Sequence, residues 1–261
     1  AAGPALDPDE VFAAFDPLVP PEWVRDPVHL ARTLRARGFP RRAQRVAEAI
    51  ASPVERETAL GLLAAAEKKP LTARRHLERA LELDPDARDA RAGLVRLQRR
   101  SLLKGDASTR SLAEGLDERQ EAVLAGWRAE EAGDWQALRA LDAALAAVPP
   151  GNPLNPDAVR LQVSWRLAEG GAELARESVA LIDRLYPVSQ SAVDLVLRAR
   201  AAAAAGDEVA ALVTLFEAAA RLQPKRADLS IVARALEVVE SLPEGTAHGA
   251  REKLRAKLQA G

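Results

Sequence analysis

The chain has 261 residues, 48% of them hydrophobic, yet aromatic side chains make up only 3% and the formal charge is −1. That length allows a large core or a series of small stacked ones packed by Leu, Ala and Val, and the near-neutral balance gives no global pull toward nucleic acid or an anionic membrane. The absence of cysteine excludes disulfides, zinc–thiolate sites and thiol catalysis, and no apolar run nears the roughly 20 residues that span a bilayer.

In chain order, residues 1–10 (AAGPALDPDE) read as a lead-in with a helix start at Asp7-Pro8. Phe12, Phe15 and Trp23 surround Pro17, Pro20 and Pro21, and residues 1–26 are expected to cap the first helical unit. A helix is predicted over 28–37, stopped by Gly38 with Pro40 beyond. Residues 41–50 fold back on it, with Ala43 and Ala47 facing the partner helix, and Ser52-Pro53 ends the unit.

Residues 60–85 carry the clearest pattern. Two apolar-periodic helical segments flank a polar break at 68–70. Gly61, Ala73 and Ala80 let the paired helices approach, while Leu60, Leu63, Leu77, Leu81 and Leu83 fill the seam. Pro85 cannot continue the helix and fixes the next turn. One such hairpin cannot bury its own apolar face, so it must stack on neighbours.

After Pro85 a long helix is predicted over 88–103, ended by Gly105, then a short piece over 108–115 capped by Ser108 or Thr109. Helices over 118–132 and 136–148 follow, joined at Gly133-Asp134-Trp135 and closed by Pro149-Pro150. The cluster GNPLNP then reads as a loop, and 151–155 as a hinge. Beyond it come 157–168 with 172–186, closing at Leu185-Tyr186-Pro187, and 192–205 with 208–222, closing at Pro224. The last pair, 228–241 and 246–260, flanks Pro243-Glu244-Gly245 and ends in a charged capping helix. The expected organisation is a cap over 1–26, a helical block over 27–150, the hinge at 151–155 and a second block over 156–261.

These residues resemble the tetratricopeptide repeat (TPR) family. Leu60-Gly61 stands at the family's Leu-Gly pair, Ala73 and Ala80 at its two small positions and Pro85 at its terminal proline, within a period of about 34 residues. Glu57, Ala64 and Leu77 depart from it, replacing a Trp, a Tyr and an aromatic residue. Gly126 with Gly133-Asp134-Trp135 repeats the family's spacing, and Ala175, Phe216 and Ala219 fall on its small and aromatic positions. The resemblance implies an all-α, right-handed superhelical solenoid of antiparallel helix hairpins that serves protein–protein interaction as a scaffold or adaptor. The alternative is a helical region of a larger bacterial enzyme or membrane-attached protein, regulating or assembling its catalytic part.

Motifs for chemistry are missing: no G-x-S-x-G, H-E-x-x-H, Walker A or G-x-G-x-x-G pattern occurs. His29, His76 and His248 lack ligand spacing and are expected at the surface or half-buried. No enzyme, metal or cofactor is therefore expected. Trp127, Trp135 and Trp165 are expected in the core, and 199–205 as a close-packing face or, if exposed, a flat docking surface.

The sharpest charge feature follows Pro85. Arg88, Arg91, Arg96, Arg99 and Arg100 share one broad helix face, with Lys104 just beyond. The resemblance places Arg96, Arg99 and Arg100 on the inner side of a first helix, where TPR proteins hold peptides. It gives Arg160 a comparable place and Arg198 one beside it. The partner expected there is an acidic segment of another protein, not nucleic acid, and self-association stays open. The competing reading is a solvated face with local ion pairs. The family's asparagine clamp for acidic C-termini is not matched, since Asn152 and Asn155 both fall in the loop. The lack of Met suggests a processed or excised piece, and low Asn with Arg over Lys suggests a GC-rich genome or a hot habitat. Nothing separates a cytoplasmic from an exported protein.

Overall fold

The computed structural model describes residues 26–36, 38–189, 191–221, 229–243 and 248–259, and they are helical with no strand among them. Ala, Leu, Arg and Glu dominate these segments, while Gly and Pro mark the breaks, so local propensity and architecture agree. The chain runs through α1 (Pro27–Ala36), α2 (Pro40–Ala49), α3 (Pro53–Ala66) and α4 (Pro70–Leu83). Then come α5 (Arg88–Leu97), α6 (Arg99–Lys104), a 3-10 turn (Ala107–Thr109), α7 (Arg110–Glu114) and α8 (Glu118–Ala132). They are followed by α9 (Trp135–Ala140), α10 (Asp142–Ala146), α11 (Asn155–Glu169) and α12 (Ala172–Ser189). The last four are α13 (Ala192–Ala204), α14 (Glu208–Arg221), α15 (Leu229–Ser241) and α16 (His248–Gln259). The cap around Phe12, Phe15 and Trp23 and the closure at Pro224 lie outside the described residues.

Three predicted helices differ. The helix expected over 88–103 is interrupted at Gln98, whose φ of −100° and ψ of 15° leave the helical region before α6 resumes. The helix over 136–148 is split at Leu141, where Asp142 opens α10 with its carboxylate engaged by other elements. α12 does not close at Pro187 but continues to Ser189.

The chain forms two compact units. One comprises the described residues up to Arg128 together with Ala143–Ala158, the other Ala129–Asp142 and the described residues from Val159 onward. In the first, α1 pairs with α2 and α3 with α4, and α1 and α5 both pack on α3. Leu30, Ala31, Leu34, Ala43, Ala47 and Leu63 belong to this core. Leu77 is fully buried, and its Cγ lies 2.6 Å from where a Cβ on Gly61 would stand. Ala73 and Ala80 are likewise at zero exposure, as the seam requires. Ala80→Phe is therefore expected to cost about 1–3 kcal/mol by forcing α3 and α4 apart, seen as a lower midpoint in thermal unfolding.

In the second unit α13 packs on α12, α14 and α15, and α16 covers α14 and α15. Its core runs through Leu195, Ala199, Leu215, Val239 and Leu254. Of the alanine run, Ala199, Ala201 and Ala202 are buried and pack, whereas Ala203 and Ala205 are half-buried and Ala204 is exposed. Of the three tryptophans expected inside, Trp127 and Trp165 are buried, but Trp135 is 40% exposed. It begins α9 directly after the Asp134 cap.

Candidate functional site

The face carrying the predicted arginines is set by α5, whose Ala92, Gly93, Leu94 and Val95 are buried and leave the basic residues outward. Within the first unit these arginines turn to the chain's own groups. Arg96 Nε lies 2.9 Å from Asp157 Oδ2 at the start of α11. The Arg99 guanidinium sits 4.8 Å over the ring of the buried Trp127. Arg91 donates to the carbonyls of Gly115 and Pro85. Arg100 and Lys104 remain exposed. The ion pairing expected of a solvated face is present at Arg96, but its partner lies far along the chain instead of on the same helix.

Residues 151–155, the expected loop or hinge just before Asp157, are packed. Leu154 is 1% exposed, Asn152 Oδ1 accepts from the Leu154 N–H at 2.8 Å, and Asn155 Nδ2 donates to the Val148 carbonyl at 2.8 Å. Arg32 Nη1 donates to the Gly151 carbonyl at 2.6 Å, holding the segment against α1. The division between the compact units accordingly does not fall at 151–155.

In the second unit Arg160 is held by Asp194, through Nε at 2.7 Å and Nη2 at 3.1 Å, and Asp194 has no exposed surface. Arg198 donates to Asp183 at 2.6 Å and to Thr214 Oγ1 at 2.8 Å, and Asp183 holds its guanidinium above the usual range. A third centre is Asp142, which accepts from Arg166 through both nitrogens, from Trp165 Nε1 and from Gln162. Burial works against its charge, yet these bonds hold its carboxyl below the ordinary value. Arg160 and Arg198 thus lie in one unit and Arg96, Arg99 and Arg100 in the other.

Sequence reasoning missed the carboxylates Asp142, Asp157 and Asp194. A signal for one existed: Arg160 and Asp194 are 34 residues apart, as are Glu130 and Ser164, whose side chains also bond. One pair joins α11 to α13 and the other α8 to α11.

A further polar centre, in the first unit, brings Asp26, His29 and Arg32 near Asp89 of α5. Asp26 caps α1 by accepting from the His29 N–H at 2.9 Å. His29 is only 2% exposed, a correction to its expected surface or half-buried position, whereas His76 meets Glu57 at 2.7 Å, part-buried, and the His248 side chain lies outside the described residues. Burial pushes His29 down to about 4, with Arg32 acting the same way and Asp26 against it. Burial pushes Asp89 up to about 6, against the pull of Arg32. Arg32 itself is pushed down to about 10 by burial and by Arg96, against Asp89, Asp26 and Asp157.

The two titrations have opposite signs. Asp89 keeps a proton in the fold that the unfolded chain loses, so its contribution is full below pH 3.8 and fades as pH rises through about 6. His29 stays neutral where the unfolded chain charges, so its contribution is present above pH 6.5 and is lost as pH falls through about 4. They offset each other between these limits. Asp89→Asn is expected to expose the His29 component, so that stability in urea climbs by roughly 2 kcal/mol from pH ~4.5 to ~7, while the wild type changes by less than half of that. Parallel pH profiles for the two proteins would refute this coupling.

Among the described residues no group of three or more His, Cys, Asp or Glu is placed to hold a metal ion, and no helix is long and apolar enough to cross a membrane. Fold and polar networks together define, among the described residues, an all-helical protein of repeat-like helix pairs tied by part-buried arginine–carboxylate contacts. Comparison with protein families, with curated proteins and with solved structures finds no match.

Proposed function

We propose that the chain is a non-catalytic scaffold or adaptor, a right-handed superhelical stack of TPR-like hairpins that holds a segment of a partner protein. The observation that carries this reading is the hairpin seam around Leu77. Small residues on α3, α4 and α5 bring backbones close, so each helix pair rests on the next. In such a stack the first helices line one surface, and the polar groups found there mostly tie one helix to another. What remains for a partner is the basic end of that face: Arg100 and Lys104 exposed, with the Arg96 side chain still 44% exposed beside its carboxylate. Arginine binds carboxylates in paired hydrogen bonds, so an acidic segment is the matching ligand.

The test uses the double variant Arg100→Glu/Lys104→Glu, which touches neither the Asp157 pair nor the Trp127 stack. Cross-linked capture from a lysate of the native organism should recover a partner with the wild type at low salt. The same partner should be lost from the variant, and from the wild type at about 0.5 M salt. Equal recovery by both proteins at both salt concentrations overturns this face as the docking surface.

A further inference from the structure

We propose that one edge of the first unit, where the tips of the α1–α2 and α3–α4 hairpins lie side by side, docks on an anionic lipid surface. No carboxylate occurs between Asp26 and Glu48, a stretch that holds Arg35, Arg41, Arg42 and Arg45. The two tips are neighbours: Arg35 Nε lies 3.9 Å from Glu67 Oε1, and Lys69 Nζ lies 2.8 Å from Glu67 Oε2. From these tips two large apolar side chains project, Phe39 at 44% exposure and Leu71 at 84%. Arg41, Arg42 and Arg45 stand exposed on the first turns of α2, and Lys68 on the facing turn. The Arg42 guanidinium lies 5.4 Å over the Phe39 ring. Glu67 is compensated by Arg35 and Lys69, which leaves the edge positive although the whole chain is near neutral. Neither α2 nor α4 has a side-chain cap, so their first N–H groups add to that potential.

The geometry favours lipid over a protein partner. A side chain as bare as Leu71 stands on a projecting tip, and a rigid partner would need a matching pocket to cover it. The headgroup region of a bilayer yields, admits both prongs, and lets the arginines remain at the phosphate level with their stems buried. Cations within a Debye length of an anionic leaflet add the attraction that two apolar side chains lack by themselves.

The experiment is sedimentation of the full chain with vesicles of phosphatidylcholine alone and of phosphatidylcholine with about 30% phosphatidylserine, at low salt. The wild type should pellet with the anionic vesicles only, and inorganic phosphate should not compete. Leu71→Glu, and separately Arg41→Glu/Arg45→Glu, should each lower vesicle affinity about tenfold or more. Both variants change exposed side chains, so their thermal midpoints should match the wild type and exclude unfolding as the cause. Failure of the wild type to pellet overturns the proposal, as does a Leu71→Glu variant that binds like the wild type. Retention on a Glu/Leu-rich synthetic peptide without vesicle binding overturns it in favour of a protein partner.

Discussion

Leu77→Ala is expected to lower stability by about 3–4 kcal/mol, and in that background Gly61→Ala should lose most of its own cost. Leu77 has no exposed surface and is a wedge: it meets Gly61 of α3 on one side and Gly93 of α5 on the other. A Cβ on Gly61 would stand 2.6 Å from Leu77 Cγ and 2.8 Å from its Cδ2, with the Ala73 carbonyl at 3.2 Å. A Cβ on Gly93 would stand 3.1 Å from Leu77 and 2.9 Å from Leu62. Gly61→Ala alone gains roughly 1 kcal/mol of helix propensity but must push Leu77 or α4 aside, at about 1–3 kcal/mol. Truncating Leu77 removes the obstruction and leaves a cavity that the new methyl partly fills. The double variant should then be more stable than the sum of the singles by about 1–2 kcal/mol, measured by urea unfolding of the four proteins. Strict additivity would show that α3 and α4 adjust without Leu77 and that the wedge is not what fixes their spacing.

This seam was the most legible part of the chain, except for Leu83, which was expected to fill it and is 42% exposed. Gly61, Ala73 and Ala80 declared a close helix contact by size alone, and Leu77 filled the position where the resembling family keeps an aromatic residue. Breaks were legible for the same local reason, with Gly105 ending α6 at a φ of +69°, although Pro40, Pro53 and Pro70, read as ends or breaks, each open the following helix. What failed depended on distant parts of the chain. GNPLNP has every residue of a solvent loop, and its turns are real, yet Leu154 and Asn152 are buried because Arg32 and Val148 receive the segment. Turn chemistry reports backbone geometry and is silent about burial. Trp135 failed in the opposite sense, since a large aromatic residue at a hairpin tip has no second layer to enter.

The candidate site was half legible. Periodicity fixes direction only along an unbroken helix, and the break at Gln98 leaves Arg96 on α5 but Arg99 and Arg100 on α6. Their partners were not visible, since Asp157 and Trp127 come from other helices and only packing brings them close. The exposed tips at Phe39 and Leu71 went unnoticed because each apolar residue sits singly in sequence. Their common edge exists only once α1 and α3 are side by side.

Asp194→Ala is expected to be the most damaging single change to a polar residue, at about 3–5 kcal/mol, because it strips Arg160 of a carboxylate inside the fold. Asp194 is completely buried and the Arg160 side chain is 19% exposed, so the pair has lost most of its water on both sides. Mutual attraction in a bidentate geometry roughly offsets that desolvation, whereas removing the carboxylate leaves the Arg160 charge with its penalty and without these two bonds. Replacing both residues should therefore be mild: Arg160→Met/Asp194→Leu is expected within about 1 kcal/mol of the wild type, and far above Asp194→Ala. Guanidinium-induced unfolding of the three proteins measures this directly, with thermal midpoints as a check. The same pair bears on function, because Arg160 was a candidate for holding an acidic partner. If it serves as a cross-link between α11 and α13, the double variant folds and still captures whatever the wild type captures. A near-neutral Asp194→Ala would mean that Arg160 swings to solvent at little cost, and its assignment to an external carboxylate would then stand in place of the internal one.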